Sequence, residues 1–105
     1  MQLELLGGPQ DGLLLMLEKD EVYVGRDDSD DVNLYYDRTA SRRHLVIAKK
    51  HAGFFAKDHG HDGKGSHHGT FLNARNDKSR FRNEGRSLNP GDILFVGHIG
   101  IRLVL

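Results

Sequence analysis

At 105 residues the chain has room for one domain, read as spanning residues 1–105, and for a single modest core. The absence of cysteine excludes disulfides, thiolate metal sites and thiol nucleophiles, and 15 Lys plus Arg against 15 Asp plus Glu leaves no basic excess for holding DNA or RNA, though a small local anion site stays open. No apolar run approaches the roughly 20 residues of a membrane helix, and Met1-Gln2-Leu3-Glu4 lacks the basic and apolar regions of a signal peptide, so the expectation is a soluble, cytoplasmic protein with neither a membrane nor a nucleic-acid partner.

The apolar residues fall in short clusters rather than in stripes of helical period. In chain order these are Leu3–Leu6, Leu13–Leu17, Val22–Val24, Val32–Leu34, Leu45–Ala48, Gly53–Ala56, Thr70–Leu72, Ile93–Val96 and Ile99–Leu105. Turn signals separate them: Gly7-Gly8-Pro9, Asp11-Gly12, Lys19-Asp20, Asp30-Asp31, His51-Ala52-Gly53, Asp62-Gly63, Gly85 and Asn89-Pro90-Gly91-Asp92. This pattern predicts an all-β sandwich of two sheets with about ten or eleven short strands. Ile99, Ile101, Leu103 and Leu105 alternate with Gly100, Arg102 and Val104, the period of a half-buried strand. The run Leu13–Leu17 is apolar throughout, and its length and borders favour a strand over a helix. Asn73–Leu88, polar and basic, reads as an exposed hairpin or loop.

In a sandwich, function sits on the loops at one end. Three loops here carry groups that suit an anion. They are Gly25-Arg26-Asp27-Asp28-Ser29-Asp30-Asp31, Arg38-Thr39-Ala40-Ser41-Arg42-Arg43-His44, and Gly63-Lys64-Gly65-Ser66-His67-His68-Gly69-Thr70-Phe71-Leu72-Asn73. Guanidinium forks, hydroxyls and glycine-exposed N–H groups are the donors that phosphate oxygens take.

The ordered set Gly25-Arg26, Ser41-Arg42-Arg43-His44, Ser66–Asn73, Leu88–Ile93 and Gly97 resembles the forkhead-associated (FHA) domain family. The resemblance spans nearly the whole chain, and Gly8–Gly12 matches the family's first hairpin. It implies a β-sandwich that binds phosphothreonine peptides, with a phosphothreonine-containing protein as partner, a Ser/Thr kinase or its substrate. By the same resemblance Arg26 is the principal phosphate ligand, Ser41 donates its hydroxyl, and Arg42 adds a second contact. His67 and His68 flank the peptide. Gly25, His44, Gly69, Thr70 and Asn73 shape the site, His44 by bracing the loop of Ser41 and Asn73 by tying down the third loop. The chain departs from the family at His68, where an asparagine usually grips the peptide backbone, and at Ala74, where a glycine often follows Asn73.

Other readings compete. Arg26 is free to pair with Asp27, Asp28, Asp30 or Asp31 as an ordinary surface ion pair. The acidic run lacks the glycine and closing glutamate of a calcium loop. Arg42 and Arg43, adjacent at the expected start of a strand, should point to opposite sides, with Arg42 toward the ligand. His59, His61, His67 and His68 with Asp58 and Asp62 suggest a metal-binding loop, though their spacing matches no structural zinc site. The expectation is therefore no metal and no cofactor. Catalysis is not expected either: there is no nucleophile elbow and no H-E-x-x-H, and the glycine spacing around Lys64 is wrong for a phosphate loop. A phospho-independent assembly domain that kept the sandwich and lost peptide gripping is the alternative function.

Overall fold

The computed structural model describes all 105 residues. Each apolar cluster becomes a strand, because alternate residues of a strand face one side and these clusters are long enough only for that. The strands are β1 (Gln2–Leu6), β2 (Leu14–Met16), β3 (Glu21–Gly25), β4 (Val32–Asn33), β5 (Leu45–Lys50), β6 (Gly53–Asp58), β7 (Thr70–Leu72), β8 (Arg80–Phe81), β9 (Arg86–Leu88), β10 (Ile93–Val96) and β11 (Ile99–Leu103). Two 3-10 turns, Gly8–Gln10 and Asp77–Ser79, are the only helical pieces.

The strands form a six-stranded sheet, ordered β2-β1-β11-β10-β7-β8, and a five-stranded sheet, ordered β4-β3-β5-β6-β9. All pairs are antiparallel except β3 with β4. Leu3 and Leu5 of β1, Val22 and Val24 of β3, Leu45 and Ile47 of β5, Leu94 and Val96 of β10, and Ile99, Ile101 and Leu103 of β11 turn inward and form the buried core. Each such side chain contributes about 1.5–3 kcal/mol of transfer free energy. The sandwich expected from the sequence is what forms.

Asn73–Leu88 differs from its expected form as an exposed hairpin or loop. It holds a 3-10 turn and two short strands, each adding to a different sheet, and it buries Phe81 completely and Leu88 nearly so. Phe81, isolated among several arginines, leaves no periodic trace, yet, fully buried, it anchors the segment. The run Leu13–Leu17 is a strand, but as the outer strand of its sheet it leaves Leu14 and Met16 exposed.

Registers collect the loops. Val24 faces Leu45 and Leu45 faces Asp58, so the end of β3, the start of β5 and the end of β6 lie together. Thr70 faces Val96, which brings the start of β7 to the end of β10. Hydrogen bonds from Thr70 to Asp58 and from His44 to Gly69 join the two groups across the sandwich.

Candidate functional site

The site is built from the end of β3. Gly25 has no side chain because there is no space for one: a Cβ would meet the Asp30 carboxylate, the Arg43 nitrogen at 2.6 Å and the Ser41 carbonyl at 2.7 Å. This close approach lets the Arg26 N–H donate to the Ser41 carbonyl at 3.1 Å, joining the first loop to the second. Asp30 is buried, and one of its oxygens accepts the N–H groups of Asp27 (3.0 Å) and Arg43 (3.1 Å).

His44 is fully buried and spans the second and third loops. Its Nδ1 accepts from the Ser41 N–H at 2.9 Å, which places the ring proton on Nε2, 2.8 Å from the Gly69 carbonyl it donates to. Burial pushes the imidazole below its ordinary pKa, against the opposing pull of the Gly69 carbonyl and Asp58, so the ring stays neutral and its two bonds are fixed. The third loop closes back on the second where the His67 N–H donates to Ser41 Oγ at 3.0 Å. Ser41 accepts there, which leaves its own hydroxyl proton to donate elsewhere.

Asp58 is the hidden anchor of the third loop. Buried at 1% exposure, it accepts from the Thr70 hydroxyl at 2.8 Å and from the Ser66 N–H at 3.0 Å. Ser66 Oγ in turn accepts the Gly69 N–H at 3.0 Å. Gly69 has φ +92°, a left-handed backbone that favours glycine, and the end of the Arg80 side chain packs where a Cβ would stand.

The structure thus brings together Gly25, Arg26, Ser41, Arg42, His44, His67, Gly69 and Thr70, directly or through one shared partner. His68 is exposed and stacks edge-on with His67, ring centroids 4.6 Å apart. Asn73 lies apart, at the far end of β7 from Thr70. Its carbonyl accepts from the Ile93 N–H at 2.8 Å and its amide donates to Asp92 at 3.1 Å, so it pins β7 to the turn before β10.

The arginines divide by their partners. Arg43 lies in a turn before β5, with φ +46°, and its guanidinium stacks over Tyr23 at 4.0 Å. Turn geometry, rather than strand alternation, separates it from Arg42. Arg26 and Arg42 are exposed and belong to none of the ion pairs, which are Lys19–Asp31, Arg86–Glu84, His98–Asp37 and Arg102–Glu4. The acidic run is occupied elsewhere. Asp27 accepts from the Ser29 hydroxyl and N–H, which lower its pKa with a smaller contribution from Arg42. Asp28 accepts from Asn33, and Asp31 takes Lys19 and the Tyr23 N–H. The aspartates that the competing reading would pair with Arg26 hold the loops in shape instead.

The histidine loop gathers no set of three ligating side chains. His59 points its Nδ1 at the Gly60 carbonyl, 2.6 Å away, and sets its edge on Tyr23, while both Asp58 oxygens are engaged.

Asp37 gives no signal in the sequence, yet it secures the neighbouring loops. It is buried and accepts from the Thr39 hydroxyl (2.6 Å), the His98 N–H (2.6 Å) and the Thr39 N–H (2.9 Å). Burial opposes its ionisation, but these bonds and the His98 ring outweigh that and hold the carboxyl at about 2, below the ordinary 3.8. A lowered folded pKa stabilises fully above the unfolded value, and the gain is lost as pH falls from about 4 through about 2. Asp37→Asn should therefore cost about 2 kcal/mol at pH 7 and flatten the fall in stability between about pH 4 and pH 2. Denaturant unfolding across that range checks it, and a variant as stable as the parent at neutral pH contradicts it.

A family model described as FHA domain matches residues 22–97. An FHA domain solved in a structural and functional analysis of phosphothreonine-dependent FHA domain interactions is 26% identical, with a TM-score of 0.74 over 96% of this chain and 91% of that one. The FHA domain of a hypothetical protein from Arabidopsis thaliana is 25% identical, with a TM-score of 0.78 over 97% of this chain and 80% of that one. The N-terminal FHA domain of Rad53p from S. cerevisiae, solved with a phosphothreonine peptide, shares the fold at 18% identity and a TM-score of 0.72, over 98% and 94% of the two chains. No curated protein is significantly similar in sequence.

Proposed function

The chain belongs to the FHA domain family, and on that premise we propose that it is an interaction module that binds a phosphothreonine on a partner protein, a Ser/Thr kinase or a kinase substrate. One observation carries the reading: Arg26 and Arg42 stand exposed and unpaired beside Ser41, while every carboxylate of the adjacent acidic run is engaged elsewhere. A phosphothreonine brings about −1.5 to −2 charges and three acceptor oxygens. Arg26 supplies a fork of donors, Arg42 a second cation, and Ser41 the hydroxyl proton left free by the His67 N–H. His68, exposed ahead of Gly69, takes the place beside the peptide backbone where the family usually has asparagine.

The same geometry argues against hydrolytic chemistry. His44 turns its Nδ1 to the Ser41 backbone N–H and its Nε2 to Gly69, so neither nitrogen is available to take a proton from the Ser41 hydroxyl.

Calorimetric titration with three peptides identical except for phosphothreonine, phosphoserine or threonine tests the proposal. The phosphothreonine peptide should bind, the plain peptide should not, and phosphoserine should bind more weakly for want of the methyl group. Equal binding of all three, or of none, overturns it.

A further inference from the structure

The register of the six-stranded sheet sets Phe95 of β10 opposite Phe71 of β7, and Phe71 opposite Arg80 of β8. Leu94 and Val96 fill the core, so Phe95, and with it Phe71 and Arg80, lies on the outer face. Arg75 joins this row. Its guanidinium lies 4.5 Å from the centre of the Phe95 ring and donates through Nη1 to the Gly97 carbonyl. At the loop end of this face an open cleft of about 290 Å³ is lined by Phe71, Arg75, His98, Thr39 and His68.

Arg75 is exposed and belongs to none of the ion pairs. His98 turns its Nδ1 toward Asp37, 3.3 Å away, and its Nε2 has no partner. Asp37, the carboxylate behind these groups, is buried and already takes Thr39 and the His98 N–H, so it does not neutralise Arg75. Arg80 packs against Gly69, which also lines the cleft, and its buried Nε has no hydrogen-bond partner. A buried donor without an acceptor is costly, and Arg80 too is outside every ion pair. The cleft therefore lies between two guanidiniums that no carboxylate neutralises.

The cleft adjoins the Arg26–Ser41 end. Thr39 stands two residues before Ser41, and His68 follows His67, whose N–H donates to Ser41 Oγ. The same two loops thus serve both places. An extended ligand advances about 3.3 Å per residue, so a side chain within about four residues of a group held at Ser41 reaches the cleft.

On the reading that Arg26 and Ser41 hold a phosphothreonine, we propose that the cleft takes a second anionic side chain of the same ligand, a carboxylate or a second phosphate. Arg75 selects it. One of its nitrogens is fixed on Gly97 and the group is held over Phe95, which leaves the remaining donors of the fork for either anion. His68 and His98 flank the anion. The ligand is then a doubly charged segment, not a phosphothreonine in a neutral sequence.

Calorimetric titration of phosphothreonine peptides tests this, with alanine, aspartate or phosphoserine placed in turn at each neighbouring position, out to about four on either side. At one position aspartate or phosphoserine should bind about fivefold tighter than alanine, the gain of an exposed ion pair. The tighter of the two identifies the anion. On Arg75→Gln all three peptides should bind alike and still depend on the phosphothreonine, while Arg75→Lys should recover part of the gain. Equal affinity for the three at every position overturns the proposal and leaves the phosphothreonine site standing. An equal gain at every position, which reports only bulk charge, overturns it in the same way, as does a gain that survives Arg75→Gln. Failure of every phosphothreonine peptide to bind the parent overturns the reading beneath it as well.

Discussion

If the proposed phosphothreonine site is right, Arg26→Ala should lose phosphate-dependent binding by about a hundredfold or more while unfolding at the parent's temperature. Two charge-assisted bonds to a dianion, each worth about 1.5–3 kcal/mol, account for a loss of that size. The fold does not share the loss. Arg26 is exposed, its side chain joins no ion pair, and the backbone N–H that holds Ser41 survives the substitution. Arg26→Lys should recover part of the affinity but not the fork geometry. Calorimetry with the phosphothreonine peptide and thermal unfolding check the pair of effects. Affinity within twofold of the parent would place the phosphate elsewhere.

Gly25→Ala acts on the same site through the backbone and should damage both binding and stability. Gly25 does not have a left-handed backbone, so the penalty is one of space rather than strain. An added methyl enters a gap already closed by the Asp30 carboxylate, the Arg43 nitrogen and the Ser41 carbonyl. Relieving it means pulling apart the first two loops, which breaks the Arg26–Ser41 hydrogen bond and the Asp30 bond to Arg43. Overpacking of this kind costs about 1–3 kcal/mol. Phosphopeptide affinity should fall by about tenfold or more, since that cost is borne at the loops proposed to hold the phosphate. Denaturant unfolding and peptide titration report the two losses, and a variant unchanged in both would show that the loops approach less closely than described.

Much of this architecture is legible in the order of residues. Alternation at Ile99–Leu105 and the short apolar clusters lead directly to the strands, because burial on one face imposes period two. The spacing of Gly25-Arg26, Ser41-Arg42 and the histidine loop leads to a common end of the sandwich. What escapes the sequence is burial without pattern. Asp30, Asp37 and Asp58 look like solvated turn residues, yet each is buried and accepts hydrogen bonds from loop N–H or hydroxyl groups. Phe81 is invisible among arginines for the same reason, since a single apolar residue has no period. The fate of Arg43 turns on one positive φ before β5, which no alternation rule anticipates.

The chain balances 15 acids against 15 bases, but the balance is not local. The aspartates beside Arg26 accept from backbone N–H groups, Ser29, Asn33 and Lys19, and so the guanidinium is left without an ion-pair partner.

The most direct test follows the backbone amides by NMR during titration with the phosphothreonine peptide and its unphosphorylated twin. The N–H signals of Arg26, Ser41, Arg42, His67 and His68 should move with the phosphorylated peptide alone, while those of Leu14 and Met16 on β2 stay in place. Shifts of equal size with both peptides, or shifts confined to residues away from the three loops, would contradict a phosphate site built on Arg26 and Ser41.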